Sequence, residues 1–233
     1  NSNNTVFNCD ISNRTDNGGK PTHGIYATGT NSGSQHNKNN TISNNRIYNF
    51  NVYGIDLEGV GIGSNWVISG NSFYANSGNF GNGGIRFNAG ANSNGNTITN
   101  NFIGGREPGC GGNLYANNIN NGGFYFDGIF LNVGTLTPSL VKDNTIQNLH
   151  LVGIVGLNGI SMAGGTANIG GNLIGHATDP QKGIKTNMYW SNYSIRGMYI
   201  YGASNVNIGA IGGNTGNVIS NITSTSYGTL HGI

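Results

Sequence analysis

A five-residue string of the form Gly-Ile-x-apolar-x recurs along the chain and dictates what it can fold into. It begins at Gly24, Gly54, Gly84, Gly128, Gly159 and Gly197, where Met198 stands for the isoleucine, and Gly232-Ile233 opens a further copy. The first steps are 30 residues (54 − 24) and the longest is 44 (128 − 84). Self-similarity at periods of about 20 to 50 residues marks solenoids, propellers and arrays. Coils of about 30 residues are long for two-sided hexapeptide helices and short for propeller blades of ~40 or more. The string alternates with period two, so its isoleucine and the apolar residue two further on share a face. That face collects Ile25/Ala27, Ile55/Leu57, Ile85/Phe87, Ile129/Leu131, Ile160/Met162 and Met198/Ile200. No single repeat buries such a face alone, but a stack does.

A second half recurs between the glycine strings. Asn40-Thr41-Ile42-Ser43-Asn44-Asn45-Arg46-Ile47 is echoed by Val67–Phe73, Asn96–Ile103, Val141–Ile146, Ile169–Ile174 and, slightly extended, Ile211–Asn214. In each copy two apolar residues stand five apart around a small or amide residue; together with the glycine string this predicts a strand, a turn and another strand per coil, one strand from each half. Asn45, Asn71, Asn101, Asn144, Asn172 and Asn214 fall at equivalent places, with Cys9 in the same slot at the front. A buried amide at a turn bonds its own coil and the next, so these residues predict a ladder. Cys9 is then expected to act as a small buried residue.

Composition agrees. Glycine supplies 42 of 233 residues and asparagine is about as frequent, so the chain turns often and opposes helix. A net charge of +2, spread singly, offers no basic patch for nucleic acid. No apolar run approaches the ~20 residues of a membrane span. The sequence opens and stops within a repeat, so we read 1–233 as one segment of a longer solenoid, flanked by further coils of its own chain. Insertions are expected at 104–127 and 176–195. Cys9 and Cys110 stand about three coils apart, ~14 Å at ~4.8 Å per layer, beyond the ~6 Å a disulfide spans.

The pairing of Gly-Ile-x-apolar with Asn-Thr-Ile-x-x-Asn-x-Ile resembles the repeat of pectate-lyase-like right-handed parallel β-helices. Ile211–Ser220 and Asn172–Gly175 resemble large secreted bacterial surface proteins carrying such repeats. The resemblance implies an all-β, right-handed parallel β-helix solenoid of about seven coils at the cell surface or outside the cell. It leaves activity open, because this fold hosts lyases, hydrolases, adhesins and tailspikes.

In such a stack two outward columns form from the glycine strings. One reads Tyr26, Asp56, Arg86, Phe130, Ser161, Tyr199, and the other Thr28, Glu58, Asn88, Asn132, Ala163, Tyr201. Asp56, Glu58 and Arg86 then meet, offering carboxylates to calcium, an arginine to a sugar acid, or a plain surface ion pair. The lyases of the resembled family use a lysine or arginine base beside acidic calcium ligands, and no lysine enters either column. The five histidines, His23, His36, His150, His176 and His231, share no metal-ligand spacing and are read as solvated or turn residues. Tyr26, Phe130, Tyr199 and Tyr201, with Tyr189, Trp190 and Tyr193 in an insertion, are aromatic faces suited to sugar rings or a protein partner.

The first functional expectation is therefore a surface scaffold or adhesin segment that binds a polysaccharide or a surface protein and needs no cofactor. The alternatives are a polysaccharide lyase or glycoside hydrolase centred on Asp56, Glu58 and Arg86, and a purely structural stalk.

Overall fold

The computed structural model describes residues 2–13, 19–30, 36–77, 81–113, 115–118, 124–188, 194–209, 216–225 and 229–233. Within them the chain is all-β, with short 3-10 turns at Gly90–Asn92, Pro108–Cys110 and Pro180–Lys182. No described helix is long and apolar enough to cross a membrane.

Each repeat gives one strand to each of three parallel sheets. The first sheet holds Thr5–Phe7, Thr41–Ser43, Val67–Ser69, Thr97–Thr99, Ser139–Lys142, the second half of Gly156–Gly170, and Ala203–Ile208. The second holds Asp10–Ile11, Arg46–Tyr48, Ser72–Tyr74, Phe102–Ile103, Thr145–Ile146, Leu173–Gly175 and Val218–Ser220. The third carries the glycine strings: His23–Thr28, Tyr53–Glu58, Gly83–Asn88, Tyr125–Asn132, the first half of Gly156–Gly170, Ser194–Ile200 and Thr229–His231. The chain visits the three in the same order on every circuit, and each strand pairs with its counterpart one circuit on. These long, curled parallel sheets are compatible with a β-helix.

Two expectations are corrected. The second half of the repeat is two strands, not one. Its break falls at the residue before the ladder asparagine, which is left-handed: Asn44 (φ 54), Gly70 (φ 67), Asn100 (φ 56), Asp143 (φ 56) and Gly171 (φ 68). Asparagine, aspartate and glycine tolerate that conformation best. The insertions are also not simple loops. They contain Tyr115–Asn118 and Ile184–Met188, which join Leu149–Ile154 and Ile222–Ser224 in a fourth parallel sheet.

The interior is apolar from end to end. Ile55, Leu57, Ile85, Phe87, Ile129, Leu131, Ile160 and Met162 face inward from the third sheet and are buried. Ile42, Ile68, Ile98, Val141 and Ile169 do so from the first sheet, and Ile47, Phe73, Ile103, Ile146 and Ile174 from the second. The motif glycines make this fit. A Cβ on Gly54 would lie under 3.0 Å from Phe73 of the next circuit, and the same holds for Gly24 with Ile47, Gly84 with Ile103, Gly128 with Ile146, Gly159 with Ile174 and Gly197 with Ile219. The absent side chain is the space that the next coil's apolar residue enters.

The asparagine ladder forms. The backbone N and Nδ2 of Asn71 both donate to Oδ1 of Asn101, at 3.1 and 3.0 Å, and Nδ2 donates also to the carbonyl of Ile42. Asn45, Asn101, Asn144 and Asn172 repeat the arrangement. The last rung is Asn217, which accepts from Asn172 and donates to the Ile169 carbonyl. Asn214, expected there, lies outside the described residues, and the slot belongs to Asn217 three positions later. Cys9 does hold the first slot, its N–H donating to Asn45 Oδ1, but it is exposed rather than buried, with no described rung beyond it. Cys110 is buried, and burial pushes its thiol up to about 12. Both cysteines are free.

Gly128→Ala destabilises the protein by about 1–3 kcal/mol through overpacking, because its Cβ would press on Ile146 and on the Gly159 carbonyl. Gly19→Ala, with open space around it, stays within ~0.5 kcal/mol of the parent. Asn101→Ala strands the Asn71 donors and costs about 1–3 kcal/mol for each buried group left unpaired. Urea denaturation of the three variants measures all of this.

Candidate functional site

The third sheet is where the outward columns stand; its register places the first as the sequence predicts, but the second only as far as Asn132, which pairs with Gly164 and not the expected Ala163 because the register shifts after Leu131. Asp56 pairs with Tyr26 on one side and Arg86 on the other, Phe130 follows Arg86, and Ser161 and Tyr199 follow in turn. Arg86 Nη1 lies 3.2 Å from Asp56 Oδ2, and its Nη2 donates to Glu58 Oε1 at 2.8 Å. The guanidinium thus bridges the two carboxylates that the sequence offers as acid, base or calcium ligands. Asp56 is buried and Glu58 is partly exposed. Burial raises the Asp56 carboxyl above its ordinary range even though Arg86 and His23 pull it down.

His23 is not a solvated histidine. Its Nδ1 sits 3.4 Å from Asp56 Oδ2, and its ring stacks on Tyr26 at 5.1 Å and Tyr53 at 6.4 Å. Nor is His176 simply in a turn: its Nδ1 accepts the backbone N–H of Asp179 at 2.8 Å and that of Thr178 at 3.3 Å.

His23 reveals a third outward column, one residue before each motif glycine: His23, Tyr53, Gly83, Asp127, Asn158, Arg196, His231. Strict alternation from the isoleucine would turn these residues inward. The glycine breaks that count, because it and the isoleucine after it both face the core, which sends the preceding residue out. The signal was in the sequence, hidden behind a period-two rule applied through a glycine.

The third column completes a cavity of about 340 Å3 over the later circuits. Asp127 is 9% exposed at its floor. Its Oδ1 accepts from Ser161 Oγ at 2.6 Å and from Asn158 Nδ2 at 2.9 Å. Burial raises the Asp127 carboxyl above 3.8, and these two hydrogen bonds oppose the rise. Arg196 Nη1 is 3.5 Å from Asn158 Oδ1, and its guanidinium lies 4.0 Å over the Tyr199 ring. Tyr199 in turn stacks on Tyr201 at 4.7 Å. Phe130 and Tyr125 supply further aromatic wall.

The structure therefore divides the expected residues. Phe130, Tyr199 and Tyr201 come together around Asp127 and Arg196, which the sequence reading missed. Asp56, Glu58 and Arg86 form a separate cluster beside Tyr26. Tyr53 stands between the two; its hydroxyl is pushed up to about 12, by burial first and then by Asp127. Trp190, with Tyr189 and Tyr193, lies outside the described residues. Among the described residues no group of three or more His, Cys, Asp or Glu could hold a metal ion. Comparison with known protein families, characterised proteins and solved structures finds no match.

The raised carboxyl of Asp127 sets a sign. A carboxylate whose folded pKa lies above its unfolded one destabilises the fold above the folded pKa, and that penalty fades as pH falls through it towards 3.8. Asp127→Asn accordingly raises Tm at pH 7, and the gain shrinks as the pH is lowered to 4. Thermal melts of both proteins across that range check it.

Proposed function

We propose that this chain is a segment of a right-handed parallel β-helix with a pectate-lyase-like repeat, displayed at the cell surface or secreted, and that it binds a glycan through the outward face of its third sheet. Parallel strands in one sheet joined by a crossover are right-handed in about 98% of cases, which supports the hand. The observation that carries the function is the Asp127 cavity. Aromatic rings, one guanidinium and one buried carboxylate converge in a concavity near the lower end of the ~300–1,000 Å3 usual for small-molecule sites.

The energetic pattern supports a binding role. A carboxylate buried without a cationic partner weakens the fold, and residues kept at such a cost belong to sites more often than to scaffolds. Ring faces stacked beside polar groups suit sugars, which are apolar on their C–H faces and polar at their hydroxyl edges. In this reading Asp56, Glu58 and Arg86 are a bridged ion cluster that stiffens the face next to the site, and Tyr26 extends the aromatic surface beyond it. Adhesion through surface glycans is the role that follows for such a face.

The test is a glycan array probed with the purified segment, followed by calorimetry on the hits. Removing the ring in Tyr199→Ala weakens binding about tenfold or more, the equivalent of ~1.4 kcal/mol, whereas Tyr26→Ala has a smaller effect. Binding unchanged in Tyr199→Ala would remove the cavity from the account, and an array with no hit at all would remove the function.

A further inference from the structure

We infer that the saccharide taken by the Asp127 cavity is a neutral hexose chain, not an acidic one; this rests on the glycan-binding reading above. The argument is one of charge and hydrogen-bond capacity. The cavity holds one carboxylate and one guanidinium. Neither is neutralised by another charged side chain among the described residues: Asp127 is bonded by Ser161 and Asn158, and Arg196 by Asn158 and the Tyr199 ring. Asn158 lies between them, giving its Nδ2 to Asp127 and its Oδ1 to Arg196.

Both donors to Asp127 converge on Oδ1, which leaves Oδ2 to accept from a ligand. Arg196 keeps further N–H groups to donate, since Nη1 alone is used, at 3.5 Å. A ligand must therefore donate at one point and accept at a neighbouring one. Adjacent hydroxyl groups on a sugar ring do both, each oxygen carrying one proton and two lone pairs. A uronate keeps its ring hydroxyls and can also donate to Asp127; what separates it is its carboxylate, which brings a second negative charge beside one that burial already penalises. Like charges set together in this way disfavour binding at an interface.

The neighbouring cluster points the same way. Asp56 and Glu58 share the guanidinium of Arg86, and the His23 ring lies 3.4 Å from Asp56, so that patch commits its cationic groups internally and offers none to a polyanion running along the face. Counted together, the two clusters set Asp56, Glu58 and Asp127 against Arg86, Arg196 and the His23 ring, so a polyanion finds no excess of cations along the face. A neutral chain needs no such excess at either end. One of its rings lies against Phe130, beside the aromatic wall that Tyr199 and Tyr201 form, and its hydroxyl edge meets Asp127 and Arg196.

The experiment compares neutral hexose oligosaccharides (gluco-, manno- and galacto-configured) with oligogalacturonate and oligoguluronate by calorimetry at pH 7 and moderate salt. The expected result is binding of at least one neutral series, with the uronates at least tenfold weaker. Asp127→Asn then weakens the neutral ligand and narrows the gap, because the negative charge that repels a uronate carboxylate is gone; Arg196→Gln weakens the neutral ligand without narrowing it. Circular dichroism and thermal melts verify that both variants fold. Tighter binding of the uronates, or an unchanged preference in Asp127→Asn, overturns the inference and leaves glycan binding standing. Failure of every saccharide to bind overturns both.

Discussion

Everything in this molecule depends on strand pairing between successive circuits rather than within one. Each coil's backbone donors and acceptors are met by the coil on either side, so a residue's neighbours are its counterparts 26 (67 − 41) to 45 (218 − 173) positions away. Spacing in the stack is then fixed at ~4.8 Å, and side chains that share a repeat position must share a row. Inside, the rows are apolar and self-compatible. At the turn between the first two sheets the row is amide, and each amide both donates and accepts, so like beside like is again favourable. The ladder works because asparagine is one of the few side chains that is complementary to a copy of itself.

Outside, the same constraint is harder to satisfy, because identical charges in a row repel. The third sheet avoids this by mixing its rows. Asp56 is followed by Arg86, and Glu58 by Asn88, so that one guanidinium reaches straight across to Asp56 and diagonally to Glu58. In the row one step before the glycines, Asp127 is followed by Asn158 and then Arg196, which separates opposite charges by an amide instead of pairing them. A direct Asp–Arg neighbour would have closed the cavity's polar groups on each other. The interposed amide leaves both with unused hydrogen-bonding capacity, and that capacity is what a ligand can address.

Much of this was legible in the sequence, for a physical reason. The glycine string fixes a register, and once register is known, period two assigns every side chain to a face. The inward pairs such as Ile55/Leu57 and the meeting of Asp56, Glu58 and Arg86 follow directly. What escaped reading lies where the chain departs from strict alternation. The motif glycine faces inward beside an inward isoleucine, so Asp127 and Arg196 were assigned to no column. The final ladder residue is Asn217, because the segment before it is longer than the repeat alone implies. The fourth sheet was hidden because Gly153-Ile154 and Gly183-Ile184 are not followed by the apolar residue two positions on that completes the repeating string, so Leu149–Ile154 and Ile184–Met188 carry no full copy of it.

The same departure explains why the site lies where it does. Along the row that contains His23, Tyr53, Asp127 and Arg196, one position is glycine. A side chain at Gly83 would strike the ring of Tyr53 and the carbonyl of Asp127. With no side chain there, the Tyr53 ring leans across the gap and walls off the bridged ion cluster from the cavity beyond. Gly156 plays a similar part under the ring of Tyr125. Aromatic rings laid over the glycine of an adjacent strand are a known way of stabilising a sheet face. Here they also set the boundaries of the concave part, so that two glycines, which carry no chemistry themselves, decide which charged groups share a site and which are kept apart.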